Sequence, residues 1–203
     1  MCLWLVCVRH GSGMAATGVH GNGRHNHLWN CTLRSPRESA FDSPEGKKDS
    51  IATMRIAIAS DHAAIELKSA LAGWLRDSGH VVDDLGPFDD ARVDYPDYGY
   101  KLAQAIGSGS AERGVALCGS GIGISIAVNR HAACRCARVD DPLSAALSRE
   151  HNDANVIALG ARLVGVDMAK ACITAFLQTE FAGGRHGPRV EKLSNPNFIK
   201  EPA

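Results

Sequence analysis

An α/β fold, a five-stranded parallel sheet with helices on both faces, is what the sequence predicts, and two observations carry the prediction. From Met54 onward, short apolar runs alternate five times with stretches whose apolar residues recur at helical spacing. The 203 residues, 45% hydrophobic and 22% charged, suit one soluble domain with a buried core.

The first strand is read in "MRIAIAS". In "DHAAIELKSALAGWLRDSGH", Ile65, Leu67, Leu71, Trp74 and Leu75 follow at near-helical spacing until Gly79 ends the helix. "VVDDLG" gives a second strand and "YPDYGYKLAQAIGSG" its helix; "GVALC" and "GIGISIAVNRHA" form the third unit. "CRCARV" with "DPLSAALSREHN", then "NVIALG" with "GVDMAKACITAFLQTEF", supply two more. A polar tail from about residue 183 closes the chain. The expected architecture is a three-layer, Rossmann-like sandwich with strand order 2-1-3-4-5.

Residues 1–53 read differently from the domain expected over 54–203. "MCLWLVCV" is too short to span a membrane, and the stretch "RHGSGMAATGVHGNGRHNHLWN" after it has no usable periodicity. Cys2, Cys7, Cys31 and His10, His20, His25, His27 match no common zinc spacing. The expectation is a disordered extension or sequence upstream of a start at Met54, with an organelle-targeting peptide as the alternative.

Charge and cysteine usage exclude several classes. Twenty-two basic residues balance 22 acidic ones, so no overall field recruits nucleic acid or an anionic membrane. Seven cysteines without a CxxC pair argue against a disulfide framework and a structural zinc site. A soluble protein of a reducing compartment, the cytoplasm, is expected.

Chemistry concentrates after the first and third strands. Gly119, Gly121 and Gly123 sit where backbone N–H groups converge at a helix start, a cradle for an anion. No GK[ST] follows, and the dinucleotide fingerprint belongs on the first strand, where "SDHAAI" lacks it. Cys118 ends the third strand at the carboxyl edge, where α/β proteins bind ligands and where a helix N-terminus favours a thiolate. Asp61 and His62 leave the first strand at the same edge and are expected to share one crevice with Cys118. Asp61 is also the expected N-cap of the following helix.

Together, "ASDHAAIELK", "VDYPDYG", "LCGSGIGISIAVNR", "LSREHNDANVIALGARLVG" and "GGRHGPRVEKL" resemble the ribose-5-phosphate isomerase B family, which includes galactose-6-phosphate and allose-6-phosphate isomerases. The resemblance runs from Met54 to about Ser194. It implies interconversion of D-ribose 5-phosphate and D-ribulose 5-phosphate with neither metal nor cofactor. It assigns Cys118 as the base that moves a proton between C2 and C1. The turn Gly119, Ser120, Gly121, Ile122 and Gly123 would stabilise the enediolate, Ser120 through its hydroxyl. His151 would open the furanose ring, with Asn152 binding sugar beside it. Asp61, His62 and Tyr95 match substrate-binding positions, and Arg162, Arg185 and Arg189 the cationic positions for substrate and phosphate. Cys118 with Ile124 places the chain in the branch that uses cysteine; Gly187 and Pro188 replace a more usual polar pair.

Topology adds an expectation. Asp61, His62 and Cys118 follow strands, whereas His151, Asn152, Arg185 and Arg189 follow helices running back to the opposite edge. One subunit does not easily gather both sets, so a homodimer, with a tetramer as the larger alternative, is expected to complete the site. A non-catalytic phosphosugar-binding module is the competing reading, but it has no need of Cys118 and His151 together.

Overall fold

A computed structural model describes residues 52–195; the expected extension over 1–53, except its last two residues, and residues 196–203 lie outside the described residues. The five strands are β1 (Arg55–Ser60), β2 (Val81–Asp84), β3 (Arg113–Cys118), β4 (Cys136–Arg138) and β5 (Val156–Gly160). The helices are α1 (Ile65–Asp77), α2 (Tyr95–Gly107), α3 (Ile122–Val128), α4 (Pro142–Asn152), α5 (Val166–Gln178) and α6 (Gly187–Ser194). All strand pairs are parallel, as expected.

The strand order is β2-β1-β3-β5-β4, which corrects the expected 2-1-3-4-5 at its far end. Burial explains the exchange. All five residues of β5 are buried, so "VIALG" needs a strand on each side, whereas the three-residue β4 is half-exposed and carries Arg138. Short, charged strands belong at an edge. Adjacency of β1 and β3 holds as expected, with Ser60 opposite Leu117.

Side-chain alternation divides the core into two layers. Ile56 and Ile58 of β1 join Leu71 and Leu75 of α1 and Ile173 and Phe176 of α5 on one face. Ala57 and Ala59 turn to the other, against Leu102 and Ile106 of α2 and Ile124 and Val128 of α3. Small residues on that second face let α2 and α3 approach the sheet closely. Each fully buried leucine or isoleucine here contributes roughly 1.5–3 kcal/mol relative to exposure.

Local signals start the helices where the sequence placed them. Asp61 caps a single 3-10 turn, His62–Ala64, by accepting from the Ala63 N–H at 3.0 Å; α1 follows directly. Asp141 caps α4 through the Ser144 N–H at 2.9 Å, with Pro142 in the first turn.

The expected polar tail from about residue 183 carries helical structure. A 3-10 turn, Gly184–His186, leads into α6, which is tied to the body. Arg135 donates to Ser194 Oγ at 3.3 Å, and the Ala182 N–H donates to the Glu150 carbonyl at 3.0 Å. Arg149, buried on α4, donates to the Thr179 carbonyl and pairs with Asp153 at 2.7 Å. No helix among the described residues is long and apolar enough to cross a membrane.

Candidate active site

At the carboxyl edge, the ends of β1 and β3 open on one cleft of about 340 Å³. Asp61, His62, Tyr95, Cys118, Ser120 and Arg162 line it, together with Gly119, Gly123, Ala63 and Leu163. Eight residues singled out from sequence are thereby brought together; Ala63 and Leu163 were not foreseen, because they simply neighbour His62 and Arg162 in the chain.

Cys118 is 4% exposed, and its sulfur accepts the Gly121 N–H at 3.1 Å. This bond fixes the direction of a side chain that would otherwise rotate. Gly121 adopts the left-handed conformation at φ 74°, and a Cβ there would lie 2.8 Å from the Leu159 carbonyl carbon. Across from it, a Cβ on Gly160 would lie 2.7 Å from the Ser120 carbonyl group. Both positions exclude side chains, because the turn after β3 packs backbone to backbone against the end of β5.

Two further glycines make room for cleft walls. The Tyr95 ring lies where a Gly123 Cβ would stand, at 2.6 Å, and the Arg162 guanidinium lies 3.3 Å from the corresponding point on Gly119. Among the described residues no hydrogen-bond partner takes the Gly119 or Ser120 N–H, so both donors at the bend stay open to a ligand. The Ser120 hydroxyl accepts from the Ile122 N–H at 3.3 Å.

His62 is braced from the loop before α2: its Nδ1 lies 3.1 Å from the Val93 carbonyl and 3.4 Å from the Val93 nitrogen. The loop is fastened at its start by Lys68. Its ammonium is buried, lies 2.5 Å from Asp84 Oδ1 and sits 4.9 Å from the centre of the Phe88 ring. A larger groove, about 850 Å³, opens beyond His62 among Asp94, Asp97, Tyr98 and Lys101. Among the described residues no cysteine lines it, and the chemistry is assigned to the smaller cleft, where the Cys118 sulfur lies beside open backbone donors.

His151, Asn152, Arg185 and Arg189 do not line this cleft. His151 and Asn152 end α4 just before Asn155, whose carbonyl accepts from Gly114 at the start of β3. Four residue steps of strand lead from Gly114 to Cys118, roughly 13 Å along the sheet. His151 stacks on His186, with ring centroids 4.4 Å apart and planes 4° from parallel, which sets it beside Arg185. The His186 imidazole is held below its ordinary value, first by desolvation and then by His151, Arg185 and Arg189. Asn152 opens instead on a cavity with Asn129, Arg135 and Leu193. The described residues thus form two separate sets, one at each edge of the sheet.

Comparison with known proteins covers this same region. Residues 56–193 match the family model described as Ribose/Galactose Isomerase. The chain is 41% identical over 140 residues to ribose-5-phosphate isomerase B of Escherichia coli, covering 69% of this chain and 94% of that protein. It is 44% identical over 142 residues to D-erythrulose-4-phosphate isomerase of Pectobacterium atrosepticum, covering 69% and 93%. The solved structure of ribose-5-phosphate isomerase B from Clostridium thermocellum matches with a TM-score of 0.69 at 46% identity, covering 70% of this chain and 95% of that one.

Proposed function

The chain belongs to the Ribose/Galactose Isomerase family, and from that premise we propose that it is an aldose-ketose isomerase acting on D-ribose 5-phosphate and D-ribulose 5-phosphate through an enediolate. One observation carries the reading: the Cys118 sulfur, oriented by Gly121, lies in a cleft beside the open Gly119 and Ser120 donors.

Isomerisation requires a base that removes a proton from C2 and returns it to C1, and Cys118 is placed to do both from one side of an extended sugar. The intermediate carries negative charge on oxygen. Backbone donors of the Gly119–Gly123 turn and the Ser120 hydroxyl oppose that charge without having to reorganise. Asp61, His62 and Tyr95 hold hydroxyl groups, and Arg162 supplies positive charge at the rim for the substrate's anionic end. No step calls for a metal or cofactor.

Ring opening is assigned to His151 with Asn152 beside it, and phosphate capture to Arg185 and Arg189, all contributed by a second copy in a cytoplasmic homodimer. Two features support that assembly. The second set stands at the wrong edge to reach Cys118 within one subunit, and Ile122 and Ile126, one turn apart on α3 beside the cleft, are each 51% exposed. Apolar residues so placed fit a face between copies.

Turnover of ribose 5-phosphate, erythrulose 4-phosphate, allose 6-phosphate and galactose 6-phosphate by the purified chain tests the substrate, with ribose 5-phosphate expected to give the highest kcat/KM. A higher value on any of the others reassigns it. Cys118→Ala should lower kcat by about 10²–10⁴-fold while leaving phosphosugar binding in place; parental turnover would remove Cys118 as the base.

A further inference from the structure

Arg138, on the edge strand β4, reaches the cleft by a route that the strand register opens. It pairs with Ala158 of β5, and Cys118 pairs with Gly160, so Arg138, Ala158, Gly160 and Cys118 all face the same side of the sheet. With only a methyl group and a hydrogen between them, the guanidinium extends across β5. Its Nε donates to the Ser120 carbonyl at 3.2 Å.

That carbonyl and the Gly121 N–H are the two ends of one peptide unit. The N–H end is the donor to the Cys118 sulfur at 3.1 Å. Gly121, at φ 74° and ψ −13°, is in the left-handed region, and as a glycine it accepts the φ of the opposite orientation of this peptide just as readily. Rotated through half a turn, this peptide would present its oxygen to the sulfur in place of the N–H. A cation on the oxygen opposes the rotation and polarises the unit, which strengthens the bond at the other end. Asp140 completes the arrangement by taking both terminal guanidinium nitrogens, Nη1 on Oδ2 and Nη2 on Oδ1 at 2.8 Å, so that Nε is aimed at Ser120.

We propose that Arg138, held by Asp140, is a positioning residue that locks the Ser120–Gly121 peptide with its N–H on Cys118. The sulfur is thereby kept in the orientation and electrostatic environment that proton transfer needs. This rests on the assignment of Cys118 as the base.

The test uses the full chain carrying Arg138→Met, Arg138→Lys or Asp140→Asn, each also combined with Cys118→Ala. Two quantities are read: kcat and KM on ribose 5-phosphate, and the rate at which iodoacetamide alkylates Cys118, followed on its own peptide by mass spectrometry. Arg138→Met should lower kcat about tenfold, the size expected for losing one charge-assisted hydrogen bond, with KM unchanged. Alkylation of Cys118 should slow in step while that of Cys134 does not. Arg138→Lys should recover part of both losses, and Asp140→Asn should show a smaller loss of the same kind. On the Cys118→Ala background Arg138→Met should change nothing further.

Parental kcat and alkylation in Arg138→Met overturn the proposal, as does a loss confined to KM or shared equally by Cys134. If Arg138→Met fails to fold, Asp140→Asn decides by the same two readings. If Cys118→Ala turns over like the parent, the base assignment falls, whereas the alkylation rates still decide whether Arg138 governs the sulfur.

Discussion

Cys118, Asp61 and His62 were legible because each follows an apolar run directly, and the carboxyl edge of a parallel sheet is where such residues collect. Lys68 and Arg138 were not. A lysine in a helix and an arginine in a strand look like ordinary solvated charges until the partners, Asp84 and the Ser120 carbonyl, are seen folded against them. His80 is a similar case, and its chemistry yields a prediction. It is 6% exposed and accepts the Met54 N–H on Nδ1 at 3.3 Å, while burial lowers its pKa from the ordinary 6.5. The unfolded chain therefore binds a proton near pH 6.5 that the folded chain resists. Stability from this group is present above 6.5 and lost as pH falls below it. Thermal midpoints taken from about pH 7.5 to about 5.5 should fall for the parent and fall less steeply for His80→Gln, which keeps an acceptor but does not titrate. Parallel slopes for the two proteins would exclude His80 as a source of the acid sensitivity.

Among the elements, strands were read well because apolar runs bounded by turns announce themselves, yet their order was not. "CRCARV" and "NVIALG" both read as strands, and only the arginines of the first indicate that it belongs at an edge. Helix α6 escaped because its sequence is hydrophilic and comes shortly after two glycines. It is held by a nonlocal bond from Arg135, about sixty residues earlier in the chain. The junction of β3 and β5 is where an element constrains the chemistry most directly. Gly160→Ala would place a Cβ 2.7 Å from the Ser120 carbonyl, against backbone rather than a yielding side chain. The turn must shift, at a cost of about 1–3 kcal/mol, and the Gly121 N–H shifts with it. Denaturant unfolding should show a lowered midpoint, and kcat should fall more than KM rises. A variant with parental stability and turnover would mean that the two backbones are not tightly apposed at this junction.

For the whole molecule, the two separated residue sets make assembly a question about catalysis. Topology alone puts Cys118 and His151 at opposite edges, and the described residues hold them there: one lines the cleft, and the other stacks on His186 near the amino edge. If each site takes its cleft from one copy and His151, Asn152, Arg185 and Arg189 from the other, two inactive variants must be able to repair one another. Cys118→Ala and His151→Ala, unfolded together and refolded as an equal mixture, should give mixed dimers as about half of the population. Each mixed dimer has one site with both defects and one with neither. The mixture should therefore recover about a quarter of parental turnover on ribose 5-phosphate, whereas either variant refolded alone should not. A site built within a single subunit predicts the opposite result, since every copy then carries one defect whatever its neighbour contributes. Activity of the mixture no greater than the mean of the two variants would accordingly overturn the site shared between copies, because complementation requires Cys118 from one copy to act with His151 from the other.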